Sequence, residues 1–213
     1  MAQFNKSEIK RLIDKLEEAW PAPESALTHE NPLQLLVATI LSAQCTDKRV
    51  NEVTKTLFKK YKTVSDFARA DLKTLEEEIH STGFFRQKTL TITAGAQKIL
   101  DDFGGDVPKT MEELVSLPGV GRKTASVVLS AAFGIPAIAV DTHVFRVTNR
   151  LGLASAKTAD KLEAALREIL PRQYWIPYSF GIILHGRQTC KAIKPRCGQC
   201  MLSELCRWPQ KTA

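Results

Sequence analysis

Four of the five cysteines in this 213-residue chain fall within one short C-terminal segment. Cys190, Cys197, Cys200 and Cys206 follow the spacing C-x6-C-x2-C-x5-C, whereas Cys45 lies far from them in the sequence. Thiols concentrated in this way, in a chain without a secretory signal, are typical of a metal site rather than of a disulfide framework. The spacing therefore predicts that this segment folds around a metal centre.

The same segment carries most of the positive charge of the chain. Gly186–Ala213 contains six Lys or Arg residues and one acid, Glu204, which gives a net charge of +5 out of +7 for the whole chain. The isoelectric point is about 9.2. A metal centre inside a positive patch predicts a polyanionic partner, and nucleic acid is the partner that this charge distribution favours.

The hydropathy pattern predicts no membrane span. The longest uncharged apolar stretch, Ala125–Val140, is shorter than the ~18–20 residues that a spanning helix needs, and Gly134 and Pro136 interrupt it. The first twenty residues mix lysines with acids and have no apolar centre, unlike a signal peptide. We therefore expect a cytoplasmic, nucleoid-associated protein, in a reducing interior where an iron–sulfur or zinc site survives.

Apolar residues recur with a helical period along almost the whole chain, which predicts an all-α fold. Ser7 is expected to cap the first helix, and Asn31 followed by Pro32 opens a second helix that is apolar nearly all round and therefore central. The short apolar run 135–140 is expected to be a buried connector rather than a strand. Further helices are expected over residues 47–60, 71–79, 87–103, 122–133, 142–151, 158–169 and 173–185.

The segment Leu117–Ala125, LPGVGRKTA, contains two glycines two positions apart between two expected helices. Gly119 and Gly121 allow a tight turn whose bare backbone can approach a ligand closely. The amides around them then lie at a helix N-terminus, where backbone donors and the helix dipole favour a phosphate. The whole string is typical of a helix–hairpin–helix grip on the DNA backbone; the alternative is a plain corner between two helices.

Lys123 and Asp141 are the candidate catalytic residues. Lys123 falls in the first turn of a helix, where a cation is electrostatically disfavoured, and loss of solvent would further favour a neutral, nucleophilic amine. The alternative is a solvated surface lysine. Asp141 precedes an expected helix and is suited to cap it, which leaves one carboxylate oxygen available for catalysis. His143 nearby is more often structural than catalytic on a helix face.

Taken together, these residues resemble the endonuclease III family of DNA glycosylases, in the helix–hairpin–helix superfamily. The resemblance covers almost the whole chain and rests on several motifs in addition to the cysteine spacing. These are LLVATILSAQCTD (35–47), LPGVGRKTA (117–125), VDTHVFRV (140–147) and ILHGRQTC (183–190).

The resemblance implies an all-α fold of two domains. A six-helix barrel domain that contains the hairpin corresponds to residues 25–135, and residues 1–24 and 136–213 form the second domain around a [4Fe–4S] cluster. It further implies a bifunctional glycosylase and abasic-site lyase that removes oxidised or ring-damaged pyrimidines from double-stranded DNA. Lys123 takes the role of the nucleophile and Asp141 that of the catalytic carboxylate. We expect the enzyme to act as a monomer.

The resemblance also assigns the cluster ligands and the two side chains that enter the duplex, and the basic residues and hairpin glycines add the phosphate contacts. Gln44 is expected to enter the space that a flipped-out base leaves. Phe84 is expected to enter the duplex from the opposite side, at a position where an aliphatic residue is commoner in the family. A phenyl ring can stack between bases as well as wedge them apart. The expected cluster ligands are Cys190, Cys197, Cys200 and Cys206, and the other expected DNA contacts are Gly119, Gly121, Arg122, Lys191, Lys194 and Arg196.

Three alternatives can be set against this interpretation. Four thiolates suit tetrahedral zinc as well as an iron–sulfur cluster, and the single close pair, Cys197 and Cys200, only weakly favours the cluster. A related adenine glycosylase would share the fold, but it lacks the lysine nucleophile and carries a further C-terminal domain, whereas this chain ends seven residues after Cys206. A non-catalytic DNA-binding module is the third alternative, because helix–hairpin–helix elements also serve only to bind DNA.

Overall fold

The computed structural model describes residues 4–21 and 24–211 of the chain. The described residues form eleven α-helices and no β-strand, so the predicted all-α fold is confirmed. The helices are α1 (Lys6–Ala19), α2 (Pro32–Leu41), α3 (Asp47–Lys60), α4 (Val64–Ala68), α5 (Leu72–Ile79), α6 (Phe85–Phe103), α7 (Met111–Ser116), α8 (Arg122–Phe133), α9 (Thr142–Leu151), α10 (Ala159–Ile169) and α11 (Trp175–Gln188). Short 3₁₀ turns cover His80–Thr82, Arg172–Tyr174 and Cys197–Gln199.

The chain divides into two compact units. One consists of Ser25–Ile135 and contains α2 to α8; the other combines the described parts of Met1–Glu24 and Pro136–Ala213 and contains α1 and α9 to α11. We call them the hairpin unit and the cysteine unit, after the motif that each contains.

Helix α2 forms the centre of the hairpin unit. Asn31 caps it by accepting a hydrogen bond from the backbone amide of Gln34, and Pro32 occupies its first position. Nearly all of its apolar side chains are buried, and it packs against α3, α6 and α8. A helix that is apolar on all sides requires partners on all sides, and the prediction that α2 is central is confirmed.

The cysteine unit has a separate hydrophobic core. Side chains of α1, α9, α10 and α11 form it, together with Ile138 and Val140 from the connector before α9 and Leu202 and Leu205 from the C-terminal segment. The thiols of Cys190, Cys200 and Cys206 are partly buried against this core, so the cysteine segment is packed onto the helices and is not a free tail.

The predicted cap of the first helix is wrong. Asn5 caps α1, because its side chain accepts the amide of Glu8 while the Glu8 carboxylate accepts the amide of Asn5. This reciprocal capping box requires an acidic or amide side chain three residues after the cap. Ser7 has Lys10 at that position, and it lies inside the helix instead.

No helix among the described residues is both long enough and apolar enough to cross a bilayer.

Candidate functional site

The hairpin between α7 and α8 presents its backbone to solvent. Leu117 and Val120 are buried and hold the turn against the hairpin unit, and the amide of Val120 donates to the carbonyl of Leu117 at 3.1 Å. Gly119 and Gly121 are exposed between and after these two anchors. The turn therefore presents main-chain groups at both glycines, next to the exposed ring of Pro118.

The two glycines are required for different reasons. Gly119 has a φ of +69°, and a Cβ atom placed there would lie 2.5 Å from Cγ2 of Thr91 on α6. Only glycine fits this conformation and this close approach. Gly121 has an ordinary φ of −89° and nothing within 4 Å of an added Cβ. It is the N-cap residue of α8 and has no side chain. Glycine is therefore not required here by the fold, but it leaves the backbone open to a ligand that binds from the solvent side.

Lys123 is the second residue of α8 and lies directly after the hairpin. No side chain caps this helix and no acid stands in its first turn. The partial positive charge at the N-terminus of α8 therefore has no capping side chain and no first-turn acid to compensate it. The Lys123 side chain is exposed. The protein alone therefore does not remove water from around the Lys123 amine, and a bound duplex would have to do so.

Asp141 caps α9, as predicted. Its Oδ1 atom accepts the amide of Val144 at 2.7 Å, and the residue is half-buried. Among the described residues no donor is bound to its second oxygen, Oδ2. The capping bond fixes the orientation of the carboxylate and leaves one oxygen available. His143 contacts the Arg146 guanidinium through Nδ1 at 3.2 Å, which gives it a structural partner.

The four C-terminal cysteines line one pocket in the cysteine unit. All four thiols are half-buried, and none forms a disulfide. Burial raises the pKa of Cys200, whose Sγ atom lies 3.5 Å from Nε2 of His185. Burial also lowers the pKa of His185 to about 4, so this ring is neutral at neutral pH.

The donor set of this pocket fits a [4Fe–4S] cluster. Zinc binds sulfur at about 2.3 Å, which brings the four sulfur atoms of a tetrahedral site to within about 3.8 Å of one another. No three His, Cys, Asp or Glu side chains of residues 4–21 and 24–211 lie close enough to hold one metal ion. Four half-buried cysteines around one pocket fit a [4Fe–4S] group, which takes four cysteine ligands.

Two arginines of α9 hold the loop between Cys190 and Cys197. Arg150 donates to the carbonyls of Lys191 at 2.7 Å and Ala192 at 2.9 Å, and its guanidinium lies over the Trp208 ring. Arg146 donates to the carbonyl of Cys190. The helix that Asp141 caps is therefore the helix that fixes the cysteine loop.

The loop presents an exposed, mostly basic surface. The predicted contacts Lys191, Lys194 and Arg196 are all exposed. Lys194 has a φ of +52°, and Ile193 beside it is 81% exposed. An apolar side chain at the tip of a basic loop was not predicted, because an isolated isoleucine in the sequence gives no sign of its exposure.

Gln44 and Phe84 lie at two turns of the hairpin unit. Gln44 follows α2, is exposed and has a φ of +53°. Phe84 precedes α6, is 65% exposed and has a φ of +48°. Lys88 links the two turns, because its buried Nζ atom donates to the carbonyls of Leu41 and Thr82 at 2.8 Å each. Sequence reasoning missed Lys88, which looks like an ordinary helix lysine.

Comparison with known proteins matches both units. Residues 37–172 match the family described as "HhH-GPD superfamily base excision DNA repair protein", and residues 190–206, which begin and end at cysteines, match the "Iron-sulfur binding domain of endonuclease III".

Similar proteins extend over nearly the full length. Endonuclease III of Bacillus subtilis (strain 168) is 48% identical over 98% of this chain and 95% of its own, and endonuclease III of Escherichia coli (strain K12) is 39% identical over 98% and 99%. A solved non-covalent endonuclease III–DNA complex superimposes with a TM-score of 0.89 at 44% identity, over 96% of each chain. A trapped endonuclease III–DNA covalent intermediate has the same TM-score and identity, over 96% of this chain and 97% of that chain.

Proposed function

The chain belongs to the endonuclease III family, within the HhH-GPD superfamily of base excision DNA repair proteins, and from this membership we propose that it excises oxidised pyrimidines and then cleaves the strand through a Lys123 Schiff base. It is an enzyme of the DNA glycosylase and abasic-site lyase class, it binds DNA, and it carries a [4Fe–4S] cluster. The observation that carries the proposal is the exposed amine of Lys123, which directly follows the glycine hairpin at an uncapped helix N-terminus.

Lys123 acts as the nucleophile. Its neutral amine attacks C1′ of the damaged nucleotide, the N-glycosidic bond breaks, and the base leaves with the bonding electron pair and takes up a proton. Loss of a proton from the lysine nitrogen and opening of the sugar ring give a Schiff base between Nζ and C1′. This cation acidifies the C2′ proton, and its removal expels the 3′ phosphate by β-elimination. The strand is thus cut on the 3′ side of the lesion.

Asp141 supplies the negative charge that the reaction requires. Base departure leaves positive charge on the sugar, and a carboxylate held in a fixed orientation stabilises this charge more effectively than water does. The hydrogen bond from Val144 to Oδ1 holds the orientation, and Oδ2 is the oxygen available to the sugar. Asp141 is therefore both a helix cap and the catalytic carboxylate.

The target base is reached by flipping it out of the duplex, which costs a few kcal/mol and less for a damaged base than for a normal one. Gln44 fills the vacated space, and the Phe84 ring stacks against the opposite strand. Both side chains are exposed at turns, where they are accessible to a duplex without rearrangement of the core. Ring-damaged pyrimidines stack and pair poorly, so this route selects them.

Two surfaces hold the duplex, and both address phosphates rather than bases. The hairpin offers the amides around Gly119 and Gly121 together with Arg122 at the N-terminus of α8. The cysteine loop offers its three exposed cations, which are Lys191, Lys194 and Arg196. Binding through phosphates alone leaves the choice of site to the lesion, as a repair enzyme that acts in any sequence requires. We propose that one copy of the chain acts alone on the duplex.

Cys190, Cys197, Cys200 and Cys206 are the proposed cluster ligands. These four thiolates would hold the cluster through iron–sulfur bonds, which would join the two ends of the basic loop to the C-terminal segment. The hydrogen bonds from Arg150 then orient the carbonyl groups of the loop between Cys190 and Cys197.

Borohydride trapping on duplexes that carry an abasic site or thymine glycol tests the assignment. Wild type is expected to give a covalent adduct and Lys123→Gln none, because only a Schiff base is reduced to a stable amine. Lys98→Gln, which removes a half-buried lysine on α6 that is ion-paired with Asp102, is the matched control and should trap like wild type. An adduct with Lys123→Gln at the wild-type level would refute the role of Lys123.

Asp141→Asn tests the second residue. It preserves the shape of the cap and an oxygen that can accept the Val144 amide, so the fold should be retained, while base removal slows by on the order of a hundredfold or more. Turnover at the wild-type rate would restrict Asp141 to a capping role.

A further inference from the structure

Lys88 is the buried charge that this mechanism does not use. It lies in the first turn of α6, yet only 4% of its surface is exposed. Burial lowers its pKa, and no carboxylate is among the groups that act on it. Lysine is almost never fully buried without a specific partner. The position of this side chain therefore requires an explanation other than packing.

Its partners are the ends of two other backbone segments. Nζ donates at 2.8 Å to the carbonyl of Leu41, the last residue of α2, and at 2.8 Å to the carbonyl of Thr82, the last residue of a 3₁₀ turn. Carbonyls at the end of a helix have no partner within the helix and carry the negative end of its dipole. An ammonium group with several donors can bind both carbonyls at once, which no neutral aliphatic side chain can do.

Each of these carbonyls lies just before one of the two side chains proposed to enter the duplex. Gln44 is three residues after Leu41, and Phe84 is two residues after Thr82. The backbone amide of Lys88 also donates to the carbonyl of Phe84 at 3.0 Å. One residue thus fixes both turns, through its side chain and its main chain.

From this arrangement, and resting on the proposed roles of Gln44 and Phe84, we propose that Lys88 is a positioning residue that fixes the distance between the two side chains that enter the duplex. It touches neither DNA nor the reacting atoms. Both turns have left-handed backbone at a residue other than glycine, a conformation that persists only where the surroundings enforce it. The two hydrogen bonds of Lys88 supply part of that constraint.

Lys88→Met tests the proposal, because methionine preserves the length and volume of the side chain while removing the donors. Excision of thymine glycol from a fully paired duplex should fall by on the order of tenfold to a hundredfold, since small misplacements of positioning groups have effects of this size. Excision of the same lesion from an unpaired bubble, where flipping needs less assistance, should fall much less. Lys98→Met on the same helix is the matched control and should match wild type on both substrates.

A double-mutant cycle separates positioning from general damage. If Lys88 acts through the two turns, Lys88→Met should change duplex excision by no more than about twofold in a Gln44→Ala, Phe84→Ala background. An equal loss on duplex and bubble, or an undiminished effect in that background, would overturn the proposal. Lys88→Gln, which retains a donor, serves as the second variant, and failure of both variants to fold would assign Lys88 to the fold as a whole.

The test also distinguishes this proposal from the proposed function. Wild-type trapping on abasic DNA reports on Lys123 and is measured before any Lys88 variant is used. If wild type traps and Lys123→Gln does not, the chemistry stands, and the ratio of duplex to bubble excision then decides the role of Lys88 alone.

Discussion

Replacement of Gly119 by alanine should destabilise the protein by straining the turn between α7 and α8. The φ of +69° costs a residue with a Cβ atom about 1–2 kcal/mol. The added Cβ would also lie 2.5 Å from Cγ2 and 3.0 Å from Oγ1 of Thr91, and overpacking of this kind costs typically about 1–3 kcal/mol. Together we expect a loss of about 3 kcal/mol, which lowers the melting temperature by about 6–12 °C for a chain of this size.

Gly121→Ala is the matched control two residues away. Its φ of −89° suits any residue, and an added Cβ meets nothing within 4 Å. The expected cost is only about 0.5–1 kcal/mol, because alanine is a poorer helix cap than glycine. Thermal unfolding followed by the helical circular dichroism signal, without DNA, measures both variants on the same scale.

Thr91→Ala distinguishes the two causes of the Gly119 effect. It removes both γ atoms that the new methyl group would meet. In the Gly119→Ala, Thr91→Ala double variant, the stability lost to overpacking should therefore be regained, and only the left-handed backbone strain of about 1–2 kcal/mol should remain. Equal melting temperatures for Gly119→Ala and Gly121→Ala, or no recovery with Thr91→Ala, would refute the reasoning about this turn.

Three further predictions concern the DNA surface. Lys191→Ala combined with Arg196→Ala should reduce the dependence of log affinity on log salt by about two, measured by fluorescence anisotropy with duplex DNA, because two phosphate contacts are lost. Phe84→Gly should leave thermal stability unchanged or raise it by about 1 kcal/mol, since left-handed strain is relieved and little burial is lost, yet slow excision from paired DNA. Arg150→Met should weaken DNA binding by roughly three- to tenfold, because two hydrogen bonds to the cysteine loop are lost, while the visible absorption of the cluster is retained. Arg172→Met, at an exposed arginine, is the control and should not weaken DNA binding.

Each of these has an outcome that contradicts it. An unchanged salt slope in the loop variant would exclude phosphate contacts there, and Lys55→Ala combined with Lys59→Ala on α3 shows whether any two exposed lysines have the same effect. A large loss of stability in Phe84→Gly would show that the ring supports the fold. Loss of the cluster signal in Arg150→Met would place its role at the metal centre instead of the loop.

The helix bounds were predictable where the sequence marks both ends. The intervals predicted for α8 and α9 are correct, because Gly134 and Gly152 adopt the left-handed conformation that ends a helix and a cap or hairpin precedes each start. Helix α4 was missed because five residues are too few to show a helical period. Helix α11 begins at Trp175 and not at residue 173, because Arg172–Tyr174 forms a 3₁₀ turn.

The candidate site was predictable only as far as motifs extend. Residues within a motif, such as Lys123 and the four cysteines, can be found because local spacing carries their chemistry. Lys88 contacts Leu41, which is 47 residues away, and Arg150 contacts Lys191, which is 41 residues away. Such contacts depend on how helices pack, and no local pattern around either residue distinguishes it from an ordinary surface cation.

Left-handed backbone at residues other than glycine marks the expected DNA contacts in a way that the sequence motifs do not. Among the described residues, those other than glycine with a positive φ are Gln44, Phe84 and Lys194, and each was predicted to contact DNA. This conformation costs about 1–2 kcal/mol at each position. All three side chains are exposed, so burial in the free protein does not offset that cost. Strain that packing does not offset is expected where a side chain has to be presented outward, and contact with a bound duplex is the interaction that would compensate for it.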